Sequence, residues 1–177
     1  MKALLLSLML LPCCWQAAHA RDFTAAEKAG LGQQIQRFDA ALTKSDFKAV
    51  SDTIPPKVLQ AIASKAGISL EQLRAALTTQ MQIALASVKL LEFDMDFDKA
   101  QYHEAPDGTP YVLVPTRTLM ETEGTKLEAI SHTLALVDSG EWYLLRVSDA
   151  QQVDILREVY PSFADVELPA GTVQPVQ

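Results

Sequence analysis

Glu92-Phe93-Asp94-Met95-Asp96-Phe97-Asp98 sets a carboxylate at every second position with an apolar residue between each pair. A metal loop, a catalytic acidic cluster and the wet face of a β-strand all compete for it. A period of two is the spacing of a strand: Phe93, Met95 and Phe97 point one way, and Glu92, Asp94, Asp96 and Asp98 the other. Asp94, Asp96 and Asp98 match the first, third and fifth positions of a calcium-binding EF-hand loop. That loop then needs a glycine where Lys99 stands and a bidentate carboxylate where Ala105 stands. The strand reading is preferred, with an acidic surface in water and no metal site.

Upstream of this strand the apolar residues recur at helical spacing. Thr24-Ala25-Ala26-Glu27 is a capping box, followed by Leu31, Ile35, Phe38 and Leu42, which predicts a helix over 24–43. A short turn follows at 46–52. Pro55-Pro56 opens another helix with Val58, Leu59, Ile62, Ala63 and Ala66 as its stripe and Gly67 at its end. Ser69 to Gln72 is a second capping box, heading an amphipathic helix through Leu73, Leu77, Met81, Ala84 and Val88.

Downstream, Asp107-Gly108, Glu123-Gly124 and Ser139-Gly140 are hairpin signals. They divide the chain into strands near 89–104, 111–122, 125–137 and 141–147. A helix at 150–160 and a proline-containing tail at 161–177 complete it. The predicted class is α+β: N-terminal helices (21–88) packed on a four-stranded antiparallel meander (89–147), with a C-terminal helix, in a single domain over 21–177.

Two-residue turns at Glu123-Gly124 and Ser139-Gly140 fix the register on paper. One face then carries Arg117, Leu119, Ile130, His132, Leu134, Leu136, Tyr143, Leu145 and Val147. The other carries Thr116, Thr118, Met120, Ala129, Ser131, Thr133, Trp142, Leu144 and Arg146. The first face is the more apolar and is expected to meet the helices. Arg117 and His132 intrude on it beside Pro115, so Arg117, His132 and Tyr143 are candidates for a small-ligand pocket. The competing reading is that Arg117 reaches the rim and a neighbouring carbonyl satisfies His132.

The first twenty residues, MKALLLSLMLLPCCWQAAHA, have one cation, a short apolar run and the ending Ala18-His19-Ala20, the pattern of a secretory signal peptide. The run is shorter than the about 20 residues that a spanning helix needs. The expected address is secreted, in the periplasm of a Gram-negative bacterium. Cys13 and Cys14 are the only cysteines, so stability is expected from an ordinary core without disulfides. The net charge of −7 argues against nucleic acid and anionic membrane as partners.

Gln60 to Leu73 resembles a helix-turn-helix, but secretion and mixed charge on its second helix favour a structural corner. His103-Glu104-Ala105-Pro106-Asp107 has Asp107 where a zinc-protease helix has its second histidine, and Pro106 breaks that helix. Gly30-Leu31-Gly32 lacks a third glycine and a preceding strand. No catalytic motif and no cofactor is assigned.

Tyr111 to Val114, Leu134 to Leu136 and Gly140-Glu141-Trp142-Tyr143-Leu144-Leu145-Arg146-Val147 resemble the closing strands of NTF2-like proteins. The resemblance implies a cone-shaped scaffold in which a curved sheet wraps N-terminal helices around a pocket, and leaves activity open. Three functions follow as expectations. The first is a secreted binding or accessory module. The second is an enzyme with His132 as general base and Arg117 stabilising an anion. The third is an inhibitor or immunity-type protein whose acidic strand meets a basic partner.

Overall fold

A computed structural model describes residues 23–148 and 150–176; the leader expected at 1–20 lies outside them. Helix α1 (Ala25–Thr43) starts at a reciprocal capping box, in which the Thr24 hydroxyl accepts from the Glu27 amide at 3.2 Å and the Glu27 carboxylate accepts from the Thr24 amide at 2.8 Å. Asp46 caps α2 (Phe47–Asp52). Proline opens α3 (Pro56–Ala66), and Gly67 closes it in the left-handed region at φ 67°. Ser69 and Gln72 repeat the capping box for α4 (Leu70–Ser87).

The strands are β1 (Lys89–Met95), β2 (Gln101–Glu104), β3 (Pro110–Thr122), β4 (Thr125–Asp138), β5 (Glu141–Arg146) and, after α5 (Ala150–Val159), β6 (Thr172–Val176). The four-strand path β1-β3-β4-β5 is antiparallel, and β2 and β6 extend its edges. The long β3–β4 hairpin is the middle of the sheet. On one side β1 and β2 lie end to end along β3, and on the other β5 and β6 lie end to end along β4. Both turn residues of Glu123-Gly124 and of Ser139-Gly140 have positive φ, the conformation that suits a two-residue hairpin. Tyr111 opposes Leu136 and Leu134 opposes Leu145, the registers expected from those turns.

Three expectations are corrected. The strand expected over 89–104 is broken after Met95 by a 3₁₀ turn at Phe97–Lys99. Proline explains the position of the break. The Asp96 amide donates to the Pro115 carbonyl at 2.9 Å, but Pro115 has no N–H to return, so the ladder loses a rung and the chain leaves the sheet. Asp96 and Asp98 therefore do not belong to the acidic strand: Asp96 caps the 3₁₀ turn and Asp98 lies within it.

Secondly, the segment after Pro161 is ordered. Pro161–Phe163 forms a second 3₁₀ turn, Phe163 and Val166 are buried, and the chain returns as β6 beside β4.

Thirdly, both faces of the sheet are covered around its middle, and the core of the apolar face is made with α5 and the following strap, α1 lying on the opposite face. Tyr111, Leu113, Leu134, Leu136 and Val147 pack with Leu156 of α5 and with Phe163 and Val166 of the following strap. Val112, Val114, Ala135, Trp142 and Leu144 face the other way, onto Phe23 and onto Leu31, Ile35 and Phe38 of α1. Gly30 permits that approach, since a Cβ there would lie 3.1 Å from Cδ1 of Trp142. The corner of α3 and α4 makes a third cluster from Leu59, Ala63 and Leu73. The outer edge of β5 is closed where the Leu144 amide donates to the Thr53 carbonyl at 2.8 Å.

Phe163 is fully buried at the centre of the strap. Phe163→Ala is expected to cost about 3–5 kcal/mol in urea unfolding. It should also expose the chain after Pro161 to limited proteolysis before the sheet is cut.

Candidate functional site

Arg117, His132 and Tyr143 share one face, as the register requires, but the structure does not gather them into a pocket. Arg117 lies between two carboxylates: NH1 is 2.7 Å from Glu92 and Nε donates to Glu128 at 2.7 Å. These partners, Glu128 foremost, raise the guanidinium further above its ordinary value. Arg117 in turn lowers Glu128, with help from the Gln174 amide of β6 at 3.2 Å. The cluster ties β1, β3, β4 and β6 together on a partly exposed surface, where solvent screens each pair. Asp94 opposes Arg117 across the ladder, so the acidic side of β1 faces its own cation. Asp96 is taken by Lys99, whose Nζ donates at 2.6 Å and lowers the carboxyl. Asp98 is exposed.

His132 opposes Pro115. Burial lowers its pKa, and its Nδ1 is buried with no hydrogen-bond partner among the described residues. Tyr143 opposes Leu136, at the other end of the covered face.

A second polar cluster lies under α5. Asp138, buried at the end of β4, accepts from Lys57 Nζ at 2.7 Å, from Tyr160 Oη at 2.9 Å and from Ser139 Oγ at 3.2 Å. Lys57 also stands 5.4 Å over the Tyr160 ring. Burial alone would raise the Asp138 carboxyl, but the bonds donated to its ionised form outweigh it and leave the group below its ordinary value. Burial, then the bond to Asp138, raises the Tyr160 hydroxyl well above its usual range. This cluster fastens α3 and α5 to the sheet and offers no open coordination to a ligand.

A cleft open to solvent lies on the same apolar face, between β2, β3, α5 and the strap. It has a volume of about 710 Å³ and is lined by Gln101, His103, Tyr111, Leu113, Arg157, Glu167, Leu168 and Pro169. His103 stacks on Tyr111, with ring centres 5.2 Å apart and an interplanar angle of 21°. His103 Nε2 is buried with no partner among the described residues. Arg157 holds the strap, donating from Nε to the Phe163 carbonyl at 3.4 Å and from NH2 to the Val166 carbonyl at 3.1 Å. The site is thus an aromatic and aliphatic floor with an imidazole, an amide, a guanidinium and a carboxylate on its walls.

Sequence reasoning missed this cleft. His103 was weighed only as part of a broken metal motif, and Glu167 fell in a segment read as tail. Phe163, Val166 and Leu168 are the signal that was available, because closely spaced apolar residues after Pro161 need something to cover. Among the described residues no group of three or more His, Cys, Asp or Glu is placed to hold a metal ion, and no helix is long and apolar enough to cross a membrane. No family model, curated protein or solved structure matches the chain.

Asp138→Asn should lower stability at pH 7 by about 1–3 kcal/mol. The wild-type carboxyl is depressed on folding, so its contribution is complete above the ordinary value of 3.8 and is lost as pH falls through the lower folded value. Urea midpoints of the two proteins should therefore converge below about pH 4, the direction set by that linkage.

Proposed function

We propose that this chain is a secreted, periplasmic binding or accessory module that takes a small ligand in the cleft between the sheet and its C-terminal strap. The observation that carries the reading is the composition of that cleft. Tyr111, Leu113 and Leu168 supply apolar area, and His103, Gln101, Arg157 and Glu167 supply a few polar groups around it, the usual make-up of a ligand site. The signal-peptide pattern of residues 1–20 supports the address. An antiparallel sheet packed on an N-terminal helix supports an NTF2-like scaffold, from which the strap and β6 depart.

Binding is preferred to catalysis because Arg117, the residue an enzyme would use on a developing anion, is engaged by Glu92 and Glu128. His132 is suited to a general base, since burial favours its neutral form, but that arginine is not free to assist it. The inhibitor reading loses part of its acidic surface to internal pairs, Glu92 to Arg117 and Asp96 to Lys99.

Gln101 is exposed on edge strand β2 and lines the cleft, so Gln101→Trp should fill it without disturbing the core. Native mass spectrometry of protein recovered from a periplasmic extract is expected to show a chain beginning at Arg21 with a small molecule bound. Gln101→Trp should lose that molecule and keep its unfolding midpoint. A chain retaining Met1, confined to the cytosol, would overturn the address; a ligand retained by Gln101→Trp would overturn the site.

A further inference from the structure

The cleft contains two opposite charges that no ion pair answers among the described residues. Arg157 and Glu167 both line it. The guanidinium commits two of its N–H groups to backbone carbonyls, which are neutral acceptors, and a guanidinium carries five donors. Glu167 is exposed and has neither a hydrogen bond nor an ion pair among the described residues. The two side chains do not pair with each other, so a gap separates the cation from the anion. His103 Nε2, buried and without a partner, lies in the same wall.

We infer that the ligand is a short apolar peptide with free termini, its carboxylate on Arg157 and its ammonium on Glu167. This rests on the cleft being the ligand site. A zwitterion answers both charges at once and carries no net charge, so the overall −7 of the chain does not repel it as it would a simple carboxylate. A peptide also brings its own N–H and C=O groups, which can satisfy the His103 nitrogen and the Gln101 amide, and apolar side chains for Leu113 and Leu168.

The test is a titration of the isotope-labelled protein with two probes, dileucine with free termini and N-acetyl-dileucine amide, in wild type and in Glu167→Gln. The free dipeptide is expected to shift the His103 and Tyr111 resonances and to bind about a hundredfold more tightly than the blocked one, about tenfold for each of two charge-assisted contacts. Glu167→Gln should remove about tenfold from the free probe and leave the blocked probe unchanged. Equal binding of both probes, or a free probe indifferent to Glu167→Gln, overturns the peptide inference while shifts at His103 keep the cleft as the ligand site. No shift at His103 or Tyr111 with either probe likewise overturns the peptide inference, and the cleft then stands or falls by the Gln101→Trp comparison.

Discussion

In the β3–β4 hairpin twelve residue pairs, from Tyr111 opposite Leu136 to Thr122 opposite Thr125, run from a turn whose two residues are both left-handed. Side chains alternate along those strands, so the turn decides which residues face α5 and which face α1. A slip of one position would send Leu134 and Leu136 towards Trp142 and Leu31, and would bring Val112 and Ala135 under Phe163. Most antiparallel sheets tolerate water on one side. This one has a separate core on each face, so an error in register would damage both, and only one pairing satisfies them.

Much of this arrangement can be read from residues close together in the chain. Thr24 with Glu27 and Ser69 with Gln72 announce their helices because the capping contacts span three positions. Glu123-Gly124 and Ser139-Gly140 announce their hairpins because few residues accept positive φ. Pro115 carries a subtler message: its missing N–H marks where the edge partner must leave, and β1 ends within a residue of that point. Two features were not legible. Which helix covers which face depends on contacts between distant segments, and alternation reports two faces without naming their partners. The role of Arg117 likewise depends on Glu128 lying across a strand pair and Glu92 along the next one.

The charged groups divide by their surroundings. Arg117, Lys99 and Asp138 each meet opposite charge inside the fold, and Lys65 with Glu158 and Arg74 with Asp52 bind helix to helix. Arg157 instead donates to backbone carbonyls, and Glu167 is exposed. Both border the cleft, which leaves them available to an occupant.

β6 sits beside β4 although Gln174 and Glu128 are 46 positions apart, and four of its five residues are exposed. Closing so long a loop costs entropy that this thin seam returns only in part. β6 is therefore the portion that should detach at the lowest free energy, while Phe163 and Val166 keep the strap packed in its core. Between Val166 and β6 run Glu167 and Leu168, which form one side of the cleft. An occupant that touches that wall is coupled through a few residues of chain to the seating of β6, so its binding should strengthen the seam it never touches.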